Sequence, residues 1–160
     1  MFRAIALLAV LFAHTAAFAA DPSQRTLVLG FGSRLLSDIE DRIVREEVMR
    51  GLITRGHAVV PVMALEEYFL NRAGSIRAMD RAAVAGACRE LSARIALSGA
   101  VTRMDGRVRV ALSLYRADTG ETTDTAFTVD GAGEFKDYGP VLIAEILRHS
   151  ERLLASRERK

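Results

Sequence analysis

Residues 94–120 read RIALSGAVTRMDGRVRVALSLYRADTG, and their pattern decides the fold class. Asp105-Gly106 stands between two runs of alternating apolar residues, the strongest short-range signal for a two-residue hairpin. In the second run Val108, Val110, Leu112 and Leu114 point one way, and Arg107, Arg109, Ala111, Ser113 and Tyr115 the other. Asp118-Thr119-Gly120 makes a second turn. A third strand, roughly Glu121 to Asp130, follows it with Thr125, Phe127 and Val129 on one face. The three strands form an antiparallel meander with one core side.

Upstream, Thr26 to Phe31 is a near-continuous apolar run, which suits a strand covered on both faces. Ser37-Asp38-Ile39-Glu40 has the capping-box form that starts a helix, with Ser33 as an alternative earlier cap. Leu35, Ile39, Ile43, Val44, Val48 and Leu52 are expected on its buried stripe. Asp38, Asp41 and Glu47 with Arg42, Arg45 and Arg50 are expected on its wet face. Gly56 is placed as the left-handed residue that ends the helix. His57 to Val62 reads as a second strand, parallel to the first, ending or lying on an edge at Pro61. A short helix is expected from about Ala64 to Asn71, with Tyr68 and Phe69 closing it onto the core. A longer one is capped by Ser75 and carries Ile76, Met79, Ala83, Val84, Ala87, Cys88 and Leu91. After the meander, Gly131-Ala132-Gly133 and Gly139-Pro140 bracket an irregular connection. The last helix holds Leu142, Ile143, Ile146, Leu147, Leu153 and Leu154. The expected order is β-α-β-α-α-β-β-β-α, a mixed α/β sheet of about five strands with helices packed on it.

The first 19 residues are set apart. Arg3, the apolar run Ile5 to Phe12 and the small-x-small triplet Ala17-Phe18-Ala19 have the form of a cleaved signal peptide, cut after Ala19 or Ala20. The alternative is a membrane anchor, but the run is shorter than the ~20 residues a spanning helix needs. Residues 20–160 are then one domain with a short charged tail, Arg157 to Lys160, and the expected location is periplasmic or secreted. No cysteine follows the apolar run to carry a lipid, and no later stretch is apolar enough for a transmembrane segment. The 22 Lys and Arg against 20 Asp and Glu give a net charge of +2 without a basic tract, so nucleic acid is not an expected partner. Cys88 is the single cysteine: a buried small side chain, or alternatively an intermolecular disulfide.

Motifs for chemistry are weak. Gly30-Phe31-Gly32-Ser33-Arg34-Leu35 lies where a dinucleotide fingerprint would, but Leu35 replaces the third glycine and no acidic residue ends the second strand. The glycines are read as a tight turn, with Gly30, Gly32, Ser33 and Arg34 kept as a candidate anion or ligand loop at a helix start. After His14 only His57 and His149 remain, with no metal-ligand spacing and no G-x-S-x-G elbow. Glu46-Glu47 and Glu66-Glu67 read as solvated helix faces. No catalytic residue, metal ligand or cofactor is therefore expected. The candidate partner-binding residues are Arg107, Arg109 and Tyr115, covered by a helix or left as a contact surface.

Residues 93–121, from Ala-Arg-Ile-Ala-Leu-Ser-Gly-Ala-Val through Asp-Gly to Thr-Gly-Glu, resemble the meander of TolB amino-terminal-like domains. Val28 to Gly32 before a long helix, and Arg55 to Val60 after it, extend the resemblance across nearly all of residues 20–160. A looser likeness reaches the FlgO, LpoB and CsgG envelope proteins. The resemblance implies a fold similar to the anticodon-binding domain, no active site, and a role in binding other envelope proteins. Gly99 is then architectural, letting the strand bend or a helix approach. No β-propeller, pore strands or lipidated cysteine accompany the pattern. The expectation is a non-enzymatic periplasmic adaptor or assembly factor, with homo-oligomers possible. The alternative is a small-molecule or glycan sensor.

Overall fold

The computed structural model describes residues 25–33, 35–72 and 80–156. The proposed leader, Arg34, Ser75, Ile76, Met79 and the charged tail lie outside them. The elements run β1 (Arg25–Gly32), α1 (Asp38–Thr54), α2 (Val62–Leu70), α3 (Arg81–Glu90), β2 (Ala93–Met104), β3 (Arg107–Arg116), β4 (Thr122–Asp130) and α4 (Phe135–Ala155). The strands make one sheet in the order β1-β2-β3-β4, with β1 parallel to β2 and the other pairs antiparallel.

The mixed α/β class is as expected, but the sheet has four strands among the described residues rather than about five. The stretch 57–62 contributes a single parallel bridge, Val59 to Thr26, held by the Thr26 N–H to Ala58 O and Val60 N–H to Thr26 O hydrogen bonds. Pro61 ends it. Proline has no N–H for a ladder, and here it is the N-cap residue of α2.

The hairpin forms as its sequence requires. Asp105 and Gly106 both have positive φ (47° and 76°), the type I′ condition. The ladder then runs unbroken from Met104–Arg107 to Ile95–Arg116. At the next turn Asp118 accepts hydrogen bonds from the Thr119 N–H and from the Arg94 and Arg116 side chains. The Arg116 guanidinium, with Arg94 behind it, holds this carboxyl well below the usual carboxylate range.

Two apolar layers flank the sheet. The inner face packs Val108, Val110, Leu112 and Leu114 of β3, with Leu97, Val101 and Phe31, beneath α1 and α4. The outer face packs Leu27 and Leu29 of β1 with Ala93 and Ala96 of β2 beneath α2 and α3, through Leu65, Phe69, Ala87 and Cys88.

Three helices differ from the expectation. On α1 the buried stripe is Asp41, Val44, Arg45, Val48, Met49 and Leu52. Ile39 (73% exposed) and Ile43 (42%) fall about half a turn away and face outward, at ~100° per residue. Asp41 and Arg45, expected on the wet face, are buried. The Ser37–Glu40 capping box forms as read, and Gly56 (φ 86°) ends the helix through hydrogen bonds from Gly56 to Ile53 and from His57 to Leu52. Helix α3 is capped by Asp80, whose carboxylate accepts from the Ala83 N–H, rather than by Ser75. Helix α4 starts at Phe135 with a Glu134–Asp137 capping box and takes in Gly139-Pro140, read from sequence as a connection. Pro140 is tolerated because its missing N–H orphans only the carbonyl of Lys136, an exposed residue that water can serve.

Candidate partner-binding surface

The outer side chains of β3 alternate with its core series, so Arg107, Arg109, Ala111, Ser113 and Tyr115 share one face. Among the described residues, α2 and α3 pack on the outer face of the sheet over Leu27 and Leu29 of β1, Ala93 and Ala96 of β2, and Tyr115 of β3. Tyr115 is level with Ala96 and packs, half-buried, against the outer cluster. Arg107 and Arg109, at the far end of the strand, are exposed. The three candidates therefore divide: Tyr115 belongs to a covered layer and the two arginines to an open one.

The register builds a platform around Arg109. It stands between Thr102 of β2 and Thr128 of β4, and the next row down is Ala100, Ala111 and Ala126. All of these are exposed among the described residues. Arg107 pairs with Asp130 at 3.6 Å, and the Ser113 hydroxyl donates to Asp124 at 2.6 Å. Arg109 makes no ion pair or hydrogen bond among the described residues. The result is a flat floor of methyl groups, rimmed by hydroxyls, with the Arg109 guanidinium among them and Met104, 49% exposed, at its end. A flat surface of small side chains admits a protein surface but does not enclose a small molecule.

The Gly30 to Arg34 loop has different chemistry. Gly30 lies within β1, where three residue steps from Val28 to Phe31 match two from Leu97 to Gly99 on β2, a bulge of one residue. The Phe31 N–H beyond it donates to a buried carboxylate oxygen of Asp41 at 2.7 Å. The Ser33 hydroxyl accepts from the Leu35 N–H and donates to the Val101 carbonyl, tying the end of β1 to β2. Gly32 and Ser33 line a shallow depression of about 490 Å³ with Leu35 and Arg103. The first turn of α1 carries Asp38, Glu40 and Asp41, and the capping box occupies the N–H groups of Ser37 and Glu40. These contacts support a structural loop, since an added anion would meet three carboxylates.

Sequence reasoning missed Asp41 and Arg45. Arg45 is almost enclosed, and its guanidinium reaches Glu66 of α2 at 3.6 Å. Neither residue differs in sequence from the other charges of α1, and the stripe of buried positions that includes them is visible only once the helix is docked. Burial pushes the Cys88 thiol up to about 11, so it is a protonated, inaccessible side chain in the outer layer rather than a surface thiol. Among the described residues no cluster of His, Cys, Asp and Glu could hold a metal ion, and no helix is long and apolar enough to cross a membrane.

The sequence matches no protein-family model and no curated protein. Solved structures do match. The LpoB C-terminal domain from Salmonella enterica is 17% identical, over 76% of this chain and 93% of that one, with a TM-score of 0.57. Lipoprotein GNA1162 from Neisseria meningitidis is 14% identical, over 79% and 96%, with a TM-score of 0.56. TolB from Acinetobacter baumannii reaches only 0.45, over 72% of this chain and 25% of that one. The chain shares its fold with the LpoB C-terminal domain and with GNA1162.

Proposed function

We propose that the chain is a non-enzymatic adaptor of the cell envelope, located in the periplasm, that docks a partner protein on the open part of its outer sheet face. One observation carries this reading: the helices that cover the outer face stop at Tyr115 and leave a flat platform with Arg109, which has no ion pair among the described residues, at its centre. A row of alanines brings backbone-level approach at little desolvation cost, and the guanidinium supplies direction. The matching partner surface is apolar and flat with a carboxylate at its middle. The signal-like residues 1–19 support the periplasmic location, and the fold shared with a lipoprotein domain supports an envelope role.

A photoreactive amino acid at position 102, next to Arg109, is expected to trap a partner in intact cells, whereas one at the exposed Thr54 on α1 is not. Arg109→Glu should reduce that capture about tenfold or more, equivalent to ~1.4 kcal/mol, with an unchanged circular dichroism spectrum. Equal capture by the native and Arg109→Glu chains would overturn the proposal.

A further inference from the structure

We infer that two copies of this chain pair antiparallel through the outer edge of β4 and form a continuous eight-stranded sheet. This stands independently of the platform around Arg109. The phase of the ladder shows what the edge offers. The Arg116 N–H bonds the Glu121 carbonyl at 2.9 Å, and the Gly131 N–H bonds the Gly106 carbonyl at 3.2 Å. These two bonds bracket an unshifted ladder. Odd-numbered β4 residues therefore bond β3, and residues 122, 124, 126, 128 and 130 turn their N–H and C=O groups outward. Natural edges are blunted by charged side chains, above all lysine, and by proline, bulges or short length. Over its nine residues, TTDTAFTVD, this one has no lysine, proline or bulge, and its charges are the two carboxylates of Asp124 and Asp130. The opposite edge of the sheet is partly closed, since Ala58 and Val60 already bond Thr26 of β1.

The charges select one register. With the two-fold axis at Ala126, Asp124 of each copy faces Thr128 of the other, and Asp130 faces Thr122. Every carboxylate meets a hydroxyl and none meets a carboxylate. An axis at Phe127 would oppose Asp124 and Asp130 twice, and an axis at Thr125 would leave Asp130 beyond the ladder. On the inner face the chosen axis sets Thr125 of the second copy beside Phe127, which is only half-buried in the single chain. The cleft of about 610 Å³ at the end of β4, lined by Thr128, Val129 and the exposed Val141, receives the start of the second copy's strand. The pairing uses the same edge twice, so it closes as a dimer and does not propagate.

The chain lacking residues 1–19 should sediment as a dimer. Ala126→Cys should oxidise to a disulfide-linked dimer, because position 126 faces itself across the axis, and the buried Cys88 does not compete. Asp124→Cys and Thr128→Cys should crosslink when mixed but not alone, since like positions then stand ~13 Å apart along the strand. Ala126→Pro removes an outward N–H and no β3 bond, and should give a folded monomer. Ala126→Lys, which opposes two cations on an exposed position, should do the same. A native chain that is monomeric across its accessible concentrations would overturn the inference. So would a dimer that both substitutions leave intact, or a position-126 crosslink to a different protein and none to a second copy.

Discussion

A methyl group added at Gly99 would lie 2.5 Å from a ring carbon of Phe31 and 3.1 Å from both the Ala111 carbonyl oxygen and Leu112. Sequence alone assigns this glycine to a strand bend or a close helix. The structure gives it another task, making room within the sheet for Phe31. Strict alternation would put Leu29 and Phe31 on one face. The bulge between Val28 and Phe31 separates them, so Leu29 joins the outer cluster and Phe31 the inner one. No periodicity in the chain announces such a bulge, and the role of Gly99 is unreadable without it. The close contacts are with backbone and with two fully buried side chains, which have no space to yield. Gly99→Ala is therefore expected to lower stability by ~1–3 kcal/mol, the usual cost of overpacking a core. Urea denaturation monitored by circular dichroism measures it, and a variant with the native midpoint would show that Phe31 does not need this space.

At the scale of elements, what was legible was local. The β2–β3 hairpin, the capping box of α1 and the Gly56 stop each depend on residues within a few positions of one another, and all form as read. What was not legible depends on docking: a strand at 57–62 that shrinks to a bridge, isoleucines of α1 that face solvent, and the extent of α2 and α3 over the sheet. The seat of α4 on β4 is of this second kind. His149 stacks on Phe127, with ring centres 4.2 Å apart and planes 11° from parallel. Burial, then the nearby Arg148 and Arg152, lower the pKa of this imidazole below 6.5, with Glu145 opposing them in part. The folded state thus favours neutral His149, whereas the unfolded chain takes up the proton at the ordinary value. The stabilisation is complete above about pH 6.5 and is lost as pH falls through the unfolded and then the folded pKa. His149→Gln should have a lower urea midpoint near neutrality, from the lost stack, and a shallower fall in stability between about pH 7 and 5. Identical slopes for the two chains would mean that His149 titrates alike in the folded and unfolded states.

For the whole molecule, the sheet separates two layers of unequal strength. Among the described residues the inner cluster takes members from all four strands and from α1 and α4, and holds more than twice as many buried residues as the outer one. Helix α2 starts on Pro61 with no side-chain cap, and the tie between α2 and α3, Arg72 with Glu90 and over the Tyr68 ring, lies at the rim. Pairs with an exposed partner contribute little. Opening the outer layer exposes the smaller cluster and leaves the sheet, α1 and α4 packed, so it costs less than global unfolding. Amide hydrogen exchange should therefore show α2 and α3 exchanging through partial openings, well ahead of β3 and the centre of α4. Leu65→Ala removes a fully buried side chain of the outer layer. It should speed exchange in α2 and α3 further while β3 changes only as far as global stability falls. If α2 and α3 are protected to the same level as β3, and Leu65→Ala shifts all of them together, then both layers belong to one cooperative unit. The open platform beside Tyr115 would in that case be as rigid as the core beneath it, and a partner would meet a preformed surface rather than one bordered by a mobile layer.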